Sequence, residues 1–418
     1  MAADGWAPSA PVREALRSVP RHRFAPEKNL RTAYDAGDFA IVTRRNESGR
    51  ATSSVSAAWL QADMIEGLDL KPGAVVWEAG SGGYNAELLA HVVGPGGRVV
   101  TSDIDPYVVR RARRFTTEAG SGRVTVVHGD AAHGAPAGLV PRGGFDAIVM
   151  TYNCWDVAPA WREQLAEGGR LVLPLEVGGY TRAITFQRRG DVLVARRFTH
   201  CGFVPAQGAD ARTAPVVGLL DGQLQLRFDD GPARSAEGLE EALRGRRHEI
   251  ATGVTMGPGL DFGSLLLYAA TTSPGFCRLV SAPGQGTSVV GINAGSDAPA
   301  VLGDASLAYV TYVQTRHSEI RTERLWEWHV HAFGPQGPQL AEKFAETVRA
   351  WDRDVRGDGD RSTDPAATVH PADTPDRLLP RGDVVDKDHC RIVVQWPGRD
   401  ALLPSPVAPC TGRPPATA

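Results

Sequence analysis

The sequence predicts an α/β fold, with a doubly wound parallel sheet in the N-terminal half and a second, α+β unit in the C-terminal half. Two observations predict the sheet: short apolar segments alternate with helical patterns from residue 75 to 174, and three successive strands each end in an acid. A third observation, the change of composition after residue 207 in a chain of 418 residues, predicts a second domain. We therefore expect domains at 1–207 and 208–400 and a flexible tail at 401–418.

A glycine-rich turn follows the first of these strands. Glu78 lies at the end of the strand, and Gly80-Ser81-Gly82-Gly83-Tyr84 leads into the next helix, so backbone N–H groups gather at the carboxyl end of a parallel strand. The turn lacks the complete G-x-G-x-x-G pattern that accommodates a pyrophosphate, and the nearby acid would repel phosphates. The pattern favours a phosphate-free cofactor over a dinucleotide, and a ligand-free strand–helix corner is the remaining alternative.

Two further acids follow the next two strands. Asp103 ends the strand at 97–103, at the spacing expected of a carboxylate that accepts hydrogen bonds from both ribose hydroxyls, and Asp130 ends the strand at 123–130. Three strand-end carboxylates suit a nucleoside whose sugar and base are recognised by acceptors, which points to S-adenosylmethionine. Asp103 could instead cap the helix that begins at Pro106.

The composition excludes several classes of partner. Lys and Arg number 45 against 48 Asp and Glu, a net charge of -3 that provides no field for binding nucleic acid or an anionic membrane. No apolar run approaches the ~20 residues that span a bilayer, and the N-terminus lacks an export signal, so we expect a cytoplasmic protein. The five cysteines are scattered and favour reduced thiols over a disulfide framework or a zinc site. The sequence does not predict the oligomeric state.

An ordered set of motifs extends these observations. They are Val19–Glu27 (VPRHRFAPE), Ala51–Ser56 (ATSSVS), Leu70–Gly73 (LKPG), Phe145–Val149 (FDAIV) and Leu165–Pro174 (LAEGGRLVLP). Together they resemble the N-terminal half and the following strands of the protein L-isoaspartate O-methyltransferase (PIMT) family. The resemblance implies a Rossmann-like class I fold that binds S-adenosylmethionine and transfers its methyl group to a carboxylate.

The resemblance also implies a role for individual residues. Ser54 matches the family's substrate-side serine, with Ser53 and Ser56 as reserves, although Ser54 could instead be a helix N-cap. The expected cofactor-binding residues are Glu78, Gly80, Ser81, Gly82 and Tyr84 near the methionine part, Asp103 at the ribose, and Asp130 with Ala131 at the adenine edge. Tyr152, Asn153 and Trp155 are expected to line the substrate pocket, and no metal is implied.

Two departures from the family pattern narrow the resemblance. The glycine-rich turn is one residue shorter than the usual G-S-G-S-G-Y, and Ser56 stands where we expect a proline. With the long C-terminal half and the segment Cys201–Pro205 (CGFVP), these features resemble the lanthipeptide-associated FxLD-type branch. That branch implies a partner, a cyclised precursor peptide, in which a normal Asp is methylated and converted through an aspartimide to isoaspartate.

Three alternatives remain open at this point: a repair enzyme for isoaspartate, a small-molecule carboxyl methyltransferase, and a nonenzymatic peptide-binding protein. In the C-terminal half, a docking helix is expected at 339–353 and a long loop at 357–381. His329 and His331 share one side of a predicted strand, a spacing that metals can use, but a half-buried strand without a ligand is the favoured interpretation.

Overall fold

A computed structural model describes residues 5–34, 40–80, 82–257, 263–282, 289–292, 295–315, 325–356 and 364–399. Three parts of the expectations above fall outside these ranges: Ser81 of the glycine-rich turn, residues 357–363 of the expected loop, and the tail at 401–418.

The chain forms nine α-helices and nineteen strands within the described residues. The helices are α1 (Ala10–Ser18), α2 (Leu30–Tyr34), α3 (Ala58–Gly67), α4 (Tyr84–Val93), α5 (Pro106–Ala119), α6 (Pro159–Gln164), α7 (Leu239–Arg244), α8 (Gly263–Thr272) and α9 (Gly337–Trp351). The first nine strands are β1 (Ile41–Arg45), β2 (Ala51–Val55), β3 (Val75–Ala79), β4 (Arg98–Asp103), β5 (Val124–His128), β6 (Phe145–Met150), β7 (Leu165–Val177), β8 (Tyr180–Arg189) and β9 (Val192–His200). The remainder are β10 (Val216–Leu219), β11 (Leu224–Arg227), β12 (His248–Met256), β13 (Phe276–Ser281), β14 (Asp297–Gly303), β15 (Ser306–Gln314), β16 (Trp326–Phe333), β17 (Ala366–Pro371), β18 (Asp383–Asp386) and β19 (Cys390–Gln395).

The larger sheet has ten strands in the order β18-β19-β17-β9-β8-β7-β6-β3-β4-β5. The five strands from β3 to β7 run parallel, as the alternating pattern predicts, and the β8–β9 hairpin extends the sheet in antiparallel pairing. Buried apolar strands such as β3 and β6, covered by helices, are typical of this doubly wound arrangement. The carboxyl ends of β3 to β6 therefore lie at one edge of the sheet.

The C-terminal segment returns to this larger sheet. Strand β17 pairs with β9 through Thr368–Val194 and Val369–Leu193, and β19 and β18 continue the sheet beyond it. The prediction of a loop at 357–381 is therefore wrong for Ala366–Pro371, which form strand β17. The range 208–400 also does not form one separate sheet, because its last three strands complete the sheet of the N-terminal half.

The middle of the chain forms a seven-stranded antiparallel sheet in the order β10-β11-β13-β14-β15-β16-β12. Helix α9 confirms the docking helix that the sequence predicts at 339–353. It packs on this sheet through buried residues that include Phe344, Val348 and Trp351. The two sheets share one apolar cluster, since Trp77 and Phe145 of the larger sheet belong to the same cluster as Val330 of the smaller one. Burial on this scale supplies most of the free energy that holds the two parts together.

Among the described residues, no helix has the length and apolar character needed to cross a membrane.

Candidate functional site

The carboxyl ends of the parallel strands form a cleft, which we call the central cleft. It is lined by Ala79, Gly80, Ser102, Asp103, Gly129, Asp130, Ala131 and Tyr152 from the sheet edge and by Thr52, Val204, Pro205 and Gln207 from outside it. The edge thus brings together four of the residues predicted from the sequence to hold the cofactor. Tyr152, predicted to contact the substrate, also lies here.

Gly80 makes a close approach at the bottom of this cleft. Its φ is +95°, and a Cβ atom there would lie 2.9 Å from Cδ1 of Tyr152 and 3.0 Å from Oγ1 of Thr151. Only glycine combines this backbone conformation with this space. The backbone of the turn therefore packs closely against the two residues that follow β6.

Asp103 lines the central cleft at the end of β4, and its Oδ1 accepts the Asp105 N–H at 2.8 Å. Burial, together with the negative charges of Asp105 and Glu78, raises the pKa of Asp103 to about 7, against the opposing effect of the Asp105 N–H and Arg44. The helix cap is Asp105, whose side chain accepts the Tyr107 N–H, so the capping alternative for Asp103 is wrong. Asp103 keeps acceptor capacity for a ligand.

Asp130 also lines the cleft, but protein donors already contact both of its oxygens. Oδ1 accepts the Ala132 N–H at 3.0 Å, and Oδ2 accepts the Ala209 N–H at 2.8 Å. The second bond ties the segment after β9 to the end of β5, next to the buried Ala131. Asp130 thus holds a covering segment over the cleft, as well as lining it.

Glu78 occupies a different place from the one expected. It is fully buried and lines none of the three clefts described here. Its Oε1 accepts the Asn85 Nδ2–H and its Oε2 accepts the Thr101 hydroxyl, both at 2.7 Å. Direct contact with the methionine part is therefore corrected to an indirect role, in which Glu78 orients Asn85.

A second cleft, the serine cleft, adjoins the glycine-rich turn. Its lining residues include Ser54, Ser56, Gly82, Tyr84, Asn85, Thr151 and Phe203. Ser53 does not line the serine cleft, because it is buried and its Oγ accepts the Thr43 hydroxyl at 3.1 Å. Alternation along β2 explains the difference, since neighbouring residues of a strand face opposite sides.

The helix-cap alternative for Ser54 is also wrong. Ser54 lies within β2, whereas α3 begins at Ala58 and its N-cap residue, Ala57, makes no side-chain cap. Arg21 holds the connection between the two elements by donating to the Ser56 carbonyl at 2.7 Å and to Oε1 of Gln61 at 2.8 Å. Ser54 and Ser56 are therefore presented to the serine cleft by a buried guanidinium.

Tyr84 packs in the wall of the serine cleft and is nearly inaccessible to solvent. Its ring lies 5.3 Å from that of Phe24 and 5.3 Å from the Arg21 guanidinium carbon. Burial raises the pKa of Tyr84 to about 12, so its phenol is neutral at physiological pH.

A third cleft, the arginine cleft, lies on the other side of the central cleft. Arg50, Asn153, Trp155 and Glu176 line it from the N-terminal half, and Asp210, Arg212, Arg227 and Asp229 line it from the segments after residue 207. The Tyr152 hydroxyl donates to Asp210 at 2.9 Å and so links the central and arginine clefts. Asn153 and Trp155, predicted to line a substrate pocket, come together here.

Two residues that the sequence did not single out carry buried oxygens without a protein partner. They are Oδ1 of Asn85, whose residue is 4% exposed, and Oγ1 of Thr52. Asn85 lines the serine cleft and Thr52 the central cleft. An orphaned buried acceptor is costly unless a ligand satisfies it, so both atoms indicate ligand contacts. The position of Asn85, directly after Tyr84 in the glycine-rich motif, was the available signal.

Metal ligands are not grouped in the described part of the chain, where no set of three or more His, Cys, Asp or Glu side chains could hold an ion. The His329 and His331 rings lie 6.4 Å apart, and Nδ1 of His329 contacts Glu249 at 2.8 Å.

Comparison with known proteins agrees with this geometry. A family model described as Protein-L-isoaspartate(D-aspartate) O-methyltransferase (PCMT) matches residues 1–211, half of the chain. The chain belongs to this family. It uses S-adenosylmethionine as a methyltransferase of the class I fold, with an additional sheet in its C-terminal half.

Individual relatives also match about half of the chain. A protein-L-isoaspartate O-methyltransferase of Methanopyrus kandleri is 35% identical over 214 residues, which covers 50% of this chain and 89% of the relative. A protein of the same name from Roseiflexus sp. is 35% identical over 207 residues, covering 49% and 87%.

Solved structures with the same name are more distant. One, a protein-L-isoaspartate O-methyltransferase, has 19% identity and a TM-score of 0.46 and covers 86% of this chain and 92% of its own. Another, from Plasmodium falciparum in complex with S-adenosyl-L-homocysteine, has 17% identity and a TM-score of 0.41 and covers 49% and 94%.

The residues of the clefts fit S-adenosylmethionine. Asp103 would provide a carboxylate for ribose hydroxyls, and the orphaned Asn85 oxygen would provide an acceptor for the ammonium group of the methionine part. Gly80 lines the central cleft and Gly82 the serine cleft, where neither has a side chain to obstruct a ligand. When bound, the cofactor would supply an electrophilic methyl group that these residues would orient.

Proposed function

We propose that this methyltransferase methylates the side-chain carboxylate of an Asp in a ring-constrained ribosomal peptide of the lanthipeptide kind. One observation carries the proposal: the arginine cleft, which adjoins the central cleft, is walled by residues from both halves of the chain. The family model ends at residue 211, so Arg212, Arg227 and Asp229 line the cleft from beyond that match. A cleft with walls from both sides of this boundary, beside a methyl-transfer site, favours an acceptor larger than a single residue.

Methylation of a carboxylate requires the protein mainly to align the carboxylate oxygen with the methyl group. An Asp carboxyl has a pKa of about 4 and is already an anion at neutral pH, so no general base is required. The hydroxyls of Ser54 and Ser56 line the serine cleft, where they can donate hydrogen bonds that orient the acceptor without the full charge of a Lys or Arg. A carboxylate oxygen takes the methyl group, the methyl–sulfur bond breaks, and the products are a methyl ester and S-adenosylhomocysteine.

The ester then determines what becomes of the peptide. The backbone nitrogen of the following residue attacks the ester carbonyl, loses its proton and expels methanol, which leaves an aspartimide. Addition of water to the aspartimide yields isoaspartate. The net change before that hydrolysis is the loss of one water from the original peptide.

Repair of isoaspartate in damaged proteins is the second candidate, and the names of the relatives favour it. The two functions use the same carboxyl methylation and differ in the acceptor. They are separated by steady-state kinetics on three peptides of one composition: a thioether-cyclised Asp peptide, its linear form, and a linear isoaspartyl form. The proposal expects the highest kcat/KM with the cyclised Asp peptide, because a constrained peptide loses less entropy on binding. A preference for the linear isoaspartyl peptide would support repair instead.

A further inference from the structure

Three arginines line the arginine cleft, and only one of them forms an ion pair among the described residues. Arg227 pairs with Asp229, whose carboxylate also contacts Arg278 through two nitrogens at 2.7 and 2.9 Å. In the part of the chain that the structure describes, Arg50 and Arg212 form no ion pair, and both are exposed to solvent. Their guanidinium groups are therefore available to an incoming anion.

The acids of the cleft already have protein donors. Asp229 pairs with arginines, Glu176 accepts the side-chain N–H of Asn153, and Asp210 accepts the Tyr152 hydroxyl. Burial, together with the charge of Asp130, raises the pKa of Asp210, against the opposing effect of the Tyr152 hydroxyl. The side chains of Arg50 and Arg212 are thus the charged groups of the cleft without a hydrogen-bonding protein partner among the described residues.

Arg212 is held in a geometry that suits a carboxylate. Its guanidinium carbon lies 3.4 Å from the centroid of the buried Trp155 ring. Stacking covers one flat side of the guanidinium and leaves its N–H edge free, and that edge matches a carboxylate with two parallel hydrogen bonds.

The indole under Arg212 is itself fixed by groups from distant parts of the chain. Its Nε1 donates to the Asp229 carbonyl at 2.8 Å and to the Asp230 carboxylate at 2.9 Å. Lys387, between β18 and β19, lies 4.5 Å from the ring centroid, pairs with Asp230 and donates to the Glu176 carbonyl. Trp155 is therefore a rigid platform.

The methylated carboxylate itself would bind elsewhere. Arg50 directly precedes β2 and Ser54 lies within it, and the two residues line different clefts. A guanidinium pair would also withdraw charge from the reacting oxygen, which argues for a separate anion in the arginine cleft.

We propose that Arg212, stacked on Trp155 and assisted by Arg50, binds a second carboxylate of the acceptor peptide, one that is not methylated. This inference rests on the proposed function and narrows it to peptides with an additional acidic group. That group is either an acidic side chain a few residues from the methylated Asp or the carboxylate at the peptide's C-terminus.

The test uses the full chain and short thioether-cyclised peptides that contain one Asp. Glu or Gln is placed at successive positions on either side of the Asp, and each peptide is made with a free C-terminal carboxylate and with a carboxamide. Methylation kinetics are measured for the wild type, Arg212→Gln, Arg212→Lys and, as an exposed control away from the clefts, Arg246→Gln. Binding of S-adenosylhomocysteine is measured for each protein.

The proposal expects the wild type and Arg246→Gln to favour one acidic peptide over its amide by at least about tenfold in kcat/KM, mainly through KM. Arg212→Gln should lose that preference, and Arg212→Lys should retain part of it, while cofactor binding stays unchanged. Whether Glu or the C-terminal carboxylate gives the effect identifies the source of the anion.

Two results would overturn the inference while the proposed function stands: equal methylation of acidic and amide peptides by the wild type, or an equal loss with both in Arg212→Gln. Failure of the wild type to methylate any of these peptides, with cofactor binding intact, would overturn both.

Discussion

Asn85 donates its side-chain N–H to the Glu78 carboxylate at 2.7 Å, and this bond leaves Oδ1 of Asn85 as a buried acceptor without a protein partner. The second oxygen of Glu78 accepts the Thr101 hydroxyl, so both oxygens act as acceptors and the Asn85 amide presents its N–H side to Glu78. A fully buried acid thus orients a residue that lines the serine cleft.

The first prediction follows from this pair. Asn85→Ala should weaken binding of S-adenosylhomocysteine by about 10- to 150-fold, since a hydrogen bond to a charged group contributes about 1.5 to 3 kcal/mol. Binding of 5′-methylthioadenosine, which lacks the amino-acid part, should be unchanged. Calorimetry with both ligands measures the difference, with His91→Ala on the same helix as a control. An equal loss for both ligands would remove Asn85 from the methionine end of the site.

The second prediction concerns the pH dependence of nucleoside binding. The ribose hydroxyls donate to the ionised form of Asp103, whose pKa of about 7 in the free protein lies within the physiological range. Affinity for adenosine, which does not titrate in this range, should therefore rise from about pH 5.5 to 8.5 and level off above the pKa. Asp103→Asn should bind weakly at every pH. A flat profile for the wild type would contradict this role.

Stability should change with pH in the opposite direction. The pKa of Asp103 is higher in the folded protein than in the unfolded chain, so the folded protein binds the proton more tightly. The contribution of Asp103 to the free energy of unfolding therefore falls as pH rises from about 4 to about 7. Asp103→Asn should consequently melt at a higher temperature than the wild type at pH 8, and the gap should close near pH 4. Thermal denaturation without ligand measures this.

The third prediction separates the serines. Ser54→Ala should lower kcat for peptide methylation while leaving the affinity for S-adenosylhomocysteine unchanged, because its hydroxyl lines the serine cleft. Ser53→Ala is the matched control, since Ser53 is buried against Thr43 and should affect stability more than rate. If the two variants behave alike, β2 does not present Ser54 to the acceptor.

The fourth prediction tests the contribution of the C-terminal strands. The Lys387 side chain is fully buried and pairs with Asp230. Lys387→Met should lower the free energy of unfolding by less than the roughly 3 to 5 kcal/mol of a fully buried pair, because the Asp230 carboxylate that loses its counter-ion is partly exposed. It should also reduce peptide methylation by loosening Trp155. Lys343→Met on the exposed side of α9 provides a control for loss of charge alone. An unchanged melting temperature would show that the pair contributes little.

The sequence predicted those parts of the site that depend on local pattern. Gly80, Asp103 and Asp130 follow apolar strands directly, and the parallel sheet brings such positions to one edge. Ser54 shows the limit of a local pattern. Apolar residues at helical spacing predict that helix α3 begins at Val55, which would make Ser54 its N-cap. Pairing of β2 with β1 instead places Ser54 and Val55 in a strand.

The parts that the sequence could not predict depend on contacts between distant segments. Strand β17 lies in a polar, proline-containing region, and its pairing with β9 and β19 decides its conformation. Likewise, Arg212 and Lys387 meet at Trp155 only because the C-terminal strands return to the larger sheet. Neither residue belongs to a motif that could have indicated this cluster.

Transfer of a deuterated methyl group to the cyclised Asp peptide, followed by mass spectrometry over time, tests the central claim most directly. The account predicts that the label enters the peptide as an ester and then leaves as labelled methanol, with a peptide one water lighter than the substrate. It also predicts that this sequence of products is slower or absent with the linear isoaspartyl peptide. Labelling confined to the isoaspartyl peptide, with no reaction of the cyclised Asp peptide, would contradict it.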